Sequence, residues 1–411
     1  MKSNVQHTSN GTHSGETKQS IDLWRHFTKV LVSLSACIGL VLSFAVLSVW
    51  ASSLWKEPTL ASDFVTYYIA GNLLLNGQSP YDQSAQIKLR TVTIGVKVPE
   101  GHETLYSYFY PPTFLLVLLP LCLLPLSLAG KFWGLLQFIG LIALCVLICR
   151  NMPSKNWIVA ILLLPTWIPT IATLKFGQIS IFLALGLWFF VTSIKTKPDF
   201  RIALSALVLF CKPQYLPLPF LLLLKTRNLR RVLSIILFGV VVIMLVSCVI
   251  LGWESLLGYL VSLRMAVEQA SGHNVWKTST YSWLYFAGMA GNFGAATLLM
   301  LDGATIIFWL WILKRKGLVE GAAAIGVGAV LISPHVLIYD LLLWVCTLPA
   351  IFGRPHSIAL TLVLGMFVTP WLAHSIIQRP WPAIVWGAII LLVLGLTESR
   401  EVDHPQIVIC D

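Results

Sequence analysis

Charge is what this chain has least of. Asp, Glu, Lys and Arg make up 11% of its 411 residues, against 57% hydrophobic residues and a mean hydropathy of +0.81. A water-soluble domain carries about 25% charged residues, so this surface must mostly face lipid. Alternating segments of about ten residues, the mark of a membrane barrel, are missing as well. The apolar runs are instead about 16 to 22 residues long, which suits helices crossing a hydrocarbon core of about 30 Å. The first 20 residues are polar and lack the apolar core of a cleavable signal peptide. Familiar chemical signatures are absent: there is no Walker A loop, no GxGxxG, no HExxH and no GxSxG. There is no Asp-x-Asp either, which argues against a metal-bound nucleotide-sugar donor. The eight cysteines lie mostly inside apolar runs without metal spacing and read as small buried hydrophobes.

What remains points to an all-α polytopic membrane protein with about 10–12 transmembrane helices and a large first extracytoplasmic loop. Residues 1-28 read as a disordered cytoplasmic tail, 29-397 as one transmembrane domain and 398-411 as a second cytoplasmic tail. External loops are expected at 51-109 and 252-283. The net charge of +11 suggests nucleic acid at first sight. The basic residues cluster beside helix ends, however (Lys225, Arg227, Arg230, Arg231; Lys314, Arg315, Lys316), which marks the cytoplasmic side of a bilayer. Lys18, Arg25 and Lys29 place the N-terminus in the cytoplasm by the same rule. From the 225–231 cluster, 232–251 runs outward, 293–313 inward, 318–332 outward, 336–352 inward, 356–372 outward and 381–396 inward. Two places resist this layout. Lys131 and the Arg150/Lys155 pair conflict if 132–149 spans fully, unless the proline-broken 111–125 stretch is re-entrant. Both flanks of 201–225 are basic, which two half-helices broken at Cys211-Lys212-Pro213 would reconcile.

The first apolar run, 30–50, is followed by a long polar and aromatic stretch. It opens with Asp63-Phe64-Val65-Thr66-Tyr67-Tyr68 and closes with Tyr106-Ser107-Tyr108-Phe109-Tyr110-Pro111-Pro112. A carboxylate at the exit of a first membrane helix suits an enzyme working at the far face. Asp63 is either a solvated loop residue or helix cap, or a general base whose pKa is tuned by Tyr67, Tyr68 and Trp55. The periodicity of 64–75 suggests a helix in the interface plane, with Tyr67 and Tyr68 at headgroup level. Lys175-Phe176-Gly177-Gln178 interrupts an apolar run. Lys175 and Gln178 either snorkel at a membrane boundary or, Gln178 above all, face substrate. Lys212 sits in an apolar stretch and is expected to face a cavity or a partner. His335 lies level with Asp63 in the layout above and is either a packing residue or a functional one. Asp340 stands one turn on, placed to orient His335 or pair with a lysine. The second external loop carries Glu254, Arg264, Glu268, His273, Asn274 and Lys277 around an amphipathic surface helix at 253–269. Arg264 and His273 there hold a phosphate or belong to a solvated face.

A secondary transporter or flippase competes with the enzyme reading, but it would show paired repeats and ionisable residues at mid-membrane. A ligase or polymerase for lipid-linked glycans also competes, with its large loop later in the chain.

Taken in order, these residues resemble glycosyltransferase family 87, the polyprenyl-phosphate-mannose-dependent mannosyltransferase-like group of the GT-C superfamily. The resemblance is carried by the first span, Asp63 with Tyr67-Tyr68, Gly77, Pro80-Tyr81, Tyr110-Pro111-Pro112, Gly177-Gln178, Lys212-Pro213 and Ser333-Pro334-His335. Ser180 stands where the family often has asparagine. The resemblance implies a GT-C fold, a polyprenyl-phosphate-linked hexose donor (mannose is the expectation) and a glycolipid or glycan acceptor on the extracytoplasmic side of a bacterial inner membrane. It implies Asp63 as the base that deprotonates the acceptor hydroxyl, His335 near the donor phosphate, and Lys212 and Gln178 in substrate binding. It implies no cofactor, no metal and no nucleic-acid partner. The chemistry is consistent with this: a departing phosphate needs stabilised negative charge more than a proton, and in-line holding of both substrates lowers much of the remaining barrier.

Overall fold

The computed structural model describes residues 37, 41–53, 56, 62–95, 97–98, 106–150, 164–196, 199–223, 229–272 and 280–398. The expected tail at 1-28 and nearly all of that at 398-411 lie outside these residues. Every regular element among the described residues is helical, with no strand, and the protein is an all-α polytopic membrane protein. Four helices are long and apolar enough to cross a bilayer: Leu126–Arg150, Leu229–Leu251, Gly291–Lys316 and His356–Ile376. Seven shorter apolar helices accompany them. The outer helices keep large apolar side chains uncovered. On Leu229–Leu251, Phe238 is 71% and Val249 84% exposed, which only a lipid surround makes tolerable.

The centre is built from small residues. The Leu318–Ile332 helix carries Ala322, Ala323, Ala324, Gly326, Gly328 and Ala329, and a Cβ on Gly326 would press on the Leu343 carbonyl. That lets the following segment pack at backbone distance. The 336–352 stretch, expected to be an ordinary spanning helix, is a 3₁₀ helix over Ile338–Thr347 followed by a short α-helix, Leu348–Phe352. All ten residues of the 3₁₀ helix are buried. A 3₁₀ helix is thinner than an α-helix, which fits a slot enclosed by neighbours.

The two conflicts in the layout have structural counterparts. Pro112–Cys122 is a helix of 11 residues, about 16 Å long, or half a crossing. Leu126–Arg150, with 25 residues, is long enough to put Lys131 and Arg150 on opposite sides. The 201–225 region is two short helices, Asp199–Leu209 and Pro217–Leu223, separated by a 3₁₀ turn at Pro213–Tyr215.

Two surface expectations are corrected. The helix placed in the interface plane is Ser62–Leu75, and protein covers it: Phe64, Val65, Thr66, Tyr67, Ile69, Ala70, Gly71 and Leu73 are all buried. Gly71 sits so close to Cys122 of the Pro112–Cys122 helix that any side chain there would collide. The second-loop helix, Trp253–Gly272, leaves Trp253, Leu257, Leu260 and Val261 exposed. Ser255 and Ser262 are buried, and Gly258 lies against the Tyr81 ring, which needs that room.

Candidate active site

Asp63 lies in the first turn of Ser62–Leu75, where a helix N-terminus favours a carboxylate. It lines a cavity of about 660 Å³ together with Tyr67, Tyr110, Gln178, Lys212 and His335. That volume is in the usual range for a small-molecule site. Aromatic side chains are prominent on the wall, where Phe109, Phe176, Tyr259, Tyr281 and Tyr339 join Tyr67 and Tyr110.

Gln178 is the hub, and the local sequence explains how it gets there. The Ile168–Phe176 helix ends on Gly177, whose φ of 72° is left-handed, a conformation glycine adopts without penalty. The Gly177 and Gln178 N–H groups both return to the Thr173 carbonyl. The next helix, Ser180–Thr196, starts two residues on. Trp133 Nε1 donates to the Gly177 carbonyl at 2.8 Å, and Gln137 Nε2 to the Gln178 carbonyl at 2.7 Å, so the Leu126–Arg150 helix fixes the turn from behind. The Gln178 amide then satisfies four side-chain partners. Its Nε2 donates to Asp63 Oδ2 and, at 2.9 Å, to the Tyr339 hydroxyl. Its Oε1 accepts from the Tyr110 hydroxyl at 2.8 Å and the Tyr67 hydroxyl at 3.2 Å. An ionised carboxylate only accepts, so the amide must aim its nitrogen at Asp63, and two tyrosine hydroxyls hold its oxygen the other way. Tyr110 is in turn held by Tyr81, whose hydroxyl donates to the Tyr110 carbonyl at 2.9 Å. This gives the Pro80-Tyr81 pair a structural task.

Burial pushes the Asp63 carboxyl above the usual carboxylate range. The Gln178 hydrogen bond pulls it down, as do the charges of Lys212 and Arg90, without cancelling the rise. Arg90 is a residue that sequence reasoning missed. It is buried on the Gln83–Ile94 helix, donates to Thr66 Oγ1 at 3.0 Å and lies over the Tyr106 ring, 4.5 Å from its centroid. Its signal was a basic residue in a loop assigned to the outside, against the usual charge rule.

Lys212 is pulled out of helical geometry by the proline after it, with φ of −132° and ψ of 82°. Its ammonium reaches Asp340 Oδ1 at 2.8 Å, and both side chains are buried. Asp340 also accepts from Ser180 Oγ at 2.9 Å and from the Leu337 N–H at 3.2 Å. Of its two expected tasks, pairing with a lysine is the one the structure shows. Lys212 Nζ also faces the rings of Tyr339 and Tyr110, 5.0 and 5.8 Å from their centroids.

His335 follows the Leu318–Ile332 helix after Ser333 and Pro334. Its loop is pinned to the 280–283 segment: Tyr281 N–H donates to the Val336 carbonyl at 2.8 Å, and Val336 N–H to Thr280 Oγ1 at 3.1 Å. The ring is half-buried on the cavity wall. Burial, reinforced by the Lys212 charge and opposed by Asp340, lowers its pKa to about 4, so it is a neutral imidazole near pH 7.

Other candidates fall elsewhere. Tyr68 is one residue from Tyr67 but on another face, and its hydroxyl donates to the Leu124 carbonyl at 2.8 Å. Lys175 is exposed, over the Phe176 ring and off the cavity wall. Arg264 is exposed on Trp253–Gly272 and is not part of the wall, to which that helix contributes Tyr259 and Leu263. His273, Asn274 and Lys277 lie outside the described residues. Among the described residues no three His, Cys, Asp or Glu side chains gather as a metal site.

A comparison with protein families matches residues 108–334, more than half of the chain, to glycosyltransferase family 87. No curated protein and no solved structure matches the chain.

Proposed function

The chain belongs to glycosyltransferase family 87, and from that premise we propose that this membrane glycosyltransferase moves a hexose, mannose first among the candidates, from a polyprenyl-phosphate donor to a glycolipid or glycan acceptor. The observation that carries the reading is the convergence of Asp63, Gln178, Lys212 and His335 on one aromatic-walled cavity. Asp63 is the general base. The acceptor hydroxyl gives its proton to Asp63 as its oxygen bonds to the anomeric carbon. The bond from that carbon to the phosphate oxygen breaks, and its electron pair leaves with the phosphate as polyprenyl monophosphate. One displacement with no covalent intermediate inverts the anomeric centre. Gln178 positions the carboxylate, and Tyr67 holds Gln178. A lysine ammonium has three donors and Asp340 takes one of those of Lys212, so Lys212 has hydrogen bonds left for phosphate oxygens. A neutral His335 offers one ring N–H to the same group. Asp63, at the exit of the first apolar run, sets the reaction on the extracytoplasmic face, in a bacterial inner membrane.

The test is sugar transfer in proteoliposomes with radiolabelled polyprenyl-phosphate-mannose and membrane glycolipid. The wild type is expected to label a new product, and Asp63→Asn to be slower by about 10²- to 10⁴-fold, the usual worth of a general base. Equal rates would remove Asp63 from the chemistry. No product from the wild type with any polyprenyl-phosphate sugar would remove the activity.

A further inference from the structure

The cavity wall carries residues that the roles above leave unused. Beyond the family match, the chain turns between His356–Trp371 and Trp381–Leu396. The turn brings His374, Gln378, Arg379 and Pro380 onto the cavity wall. It is an unusual turn. Leu372–Ile376 is π-helical, Ile377 N–H closes on the Leu372 carbonyl at 2.9 Å, and Arg379 N–H closes on the Ala373 carbonyl at 3.0 Å. Gln378, between them, has φ of +53°, the one positive φ outside glycine among the described residues. π-turns gather at functional sites, and a strained non-glycine residue persists where its surroundings demand it. The side chain that this turn presents is Arg379.

Charge on the wall gives Arg379 its meaning. The Lys212 charge is already matched by Asp340, and Arg90 is off the wall. Among the described residues Arg379 is the cation on the wall without a carboxylate partner, and it is exposed at the rim. With Asp63 ionised, Asp63 and Lys212 balance on the wall, and Arg379 makes it net positive. A net positive wall attracts an incoming phosphodiester, and the departing phosphate gains charge as its bond to sugar breaks.

We propose that Arg379, with His374 on the same turn, is an anion subsite at the cavity mouth that binds the phosphate of a lipid substrate. This rests on the transferase reading. The planar guanidinium fork matches two phosphate oxygens at once. One phosphate chemistry has two sources here: the polyprenyl phosphate of the donor, or a phosphate in the headgroup of an anionic glycolipid acceptor.

The experiment is binding rather than turnover, on the full chain in zwitterionic nanodiscs. The probes are a sugar-free polyprenyl monophosphate and a phosphate-bearing glycolipid, read by tryptophan fluorescence, since Trp371 and Trp381 flank the turn. Arg379→Gln is expected to weaken one of the two by about ten- to a hundredfold, as loss of a charged hydrogen bond does. Arg379→Lys should recover part of the loss. Weakening of the monophosphate alone assigns the subsite to the donor, and of the glycolipid alone to the acceptor. Unchanged affinity for both in Arg379→Gln overturns the proposal, as does a wild type that binds neither. Arg379 is exposed, so an unaltered melting temperature certifies that the variant is folded. A wild type that binds through Arg379 yet transfers no sugar would sink the activity and leave the subsite standing.

Discussion

Two buried ion pairs sit at opposite ends of the Leu318–Ile332 helix and its neighbours, and they differ in what their cations do next. Arg354 reaches Glu320 at 2.8 Å, and Lys212 reaches Asp340 at the same distance. Arg354 also donates from Nη1 to the Thr397 carbonyl at 2.7 Å and from Nη2 to the Leu394 carbonyl at 3.0 Å. It therefore closes the C-terminal end of the last helix, where a cation is welcome. Lys212 has one carboxylate and then two aromatic rings and the cavity. The bond is the same, but one pair staples helices and the other holds an ammonium ready for a ligand. A buried ion pair contributes little net stability on its own, so the use made of the remaining donors tells a staple from a site.

That contrast is breakable. The largest effect is expected from Asp340→Asn, which leaves the Lys212 charge buried without its carboxylate. Removing one partner of a buried pair costs about 3–5 kcal/mol, to be read as a fall in melting temperature together with loss of transfer. Combining Lys212→Met with Asp340→Leu should restore the melting temperature but not transfer. Glu320→Gln is expected to destabilise by a similar amount while the folded fraction keeps its kcat and KM. A changed KM there would erase the distinction between staple and site.

Gln178→Leu comes next. Misplacing a catalytic group by about 1 Å can cost about a hundredfold, so kcat/KM should fall by up to that factor. The pH profile sharpens the reading. Asp63 works as a carboxylate, so kcat/KM falls as pH drops through its pKa, and burial sets that limb above the ordinary 3.8. The Gln178 bond favours the ionised form, so its removal should move the limb higher still. A limb that stays put would mean that Asp63 is not the group being titrated. Ser180→Ala should do least. It removes one of the bonds to Asp340, at about 1.5 kcal/mol, and should leave the pH profile alone.

Much of the candidate site was legible in the sequence because polar residues inside apolar runs need a reason to be there. Gln178 and Lys212 stood out in that way, Asp63 by its place after the first apolar run and His335 by lying level with it, and all line one cavity. Tyr68 and Lys175 stood out equally well but face elsewhere. Adjacent residues on a helix point about 100° apart, and composition does not say which faces inward. Tyr110 and Tyr339 were hidden for the opposite reason: tyrosines are common at membrane boundaries, and only the fold brings these two to Gln178. Arg379 left a trace that went unread, as a basic residue between 356–372 and 381–396, on the side assigned outward. The helical class followed from run lengths, whereas the 3₁₀ form of Ile338–Thr347 did not. Its hydrophobic sequence suits an α-helix as well, and the choice depends on the narrow slot beside Gly326.

That 3₁₀ segment also separates the site from the bilayer. At about 2.0 Å per residue, ten residues reach about 20 Å, and the five α-helical residues after them extend this to about 27 Å, close to the thickness of the hydrocarbon core. None of the ten meets lipid, since each is wrapped by protein. Asp340 belongs to this inner strut, and Lys212 is anchored to it. Thinning or thickening of the membrane acts first on outer helices such as Leu229–Leu251, with their uncovered leucines and phenylalanines. The ammonium that faces the cavity is tied to a segment that such changes do not reach directly.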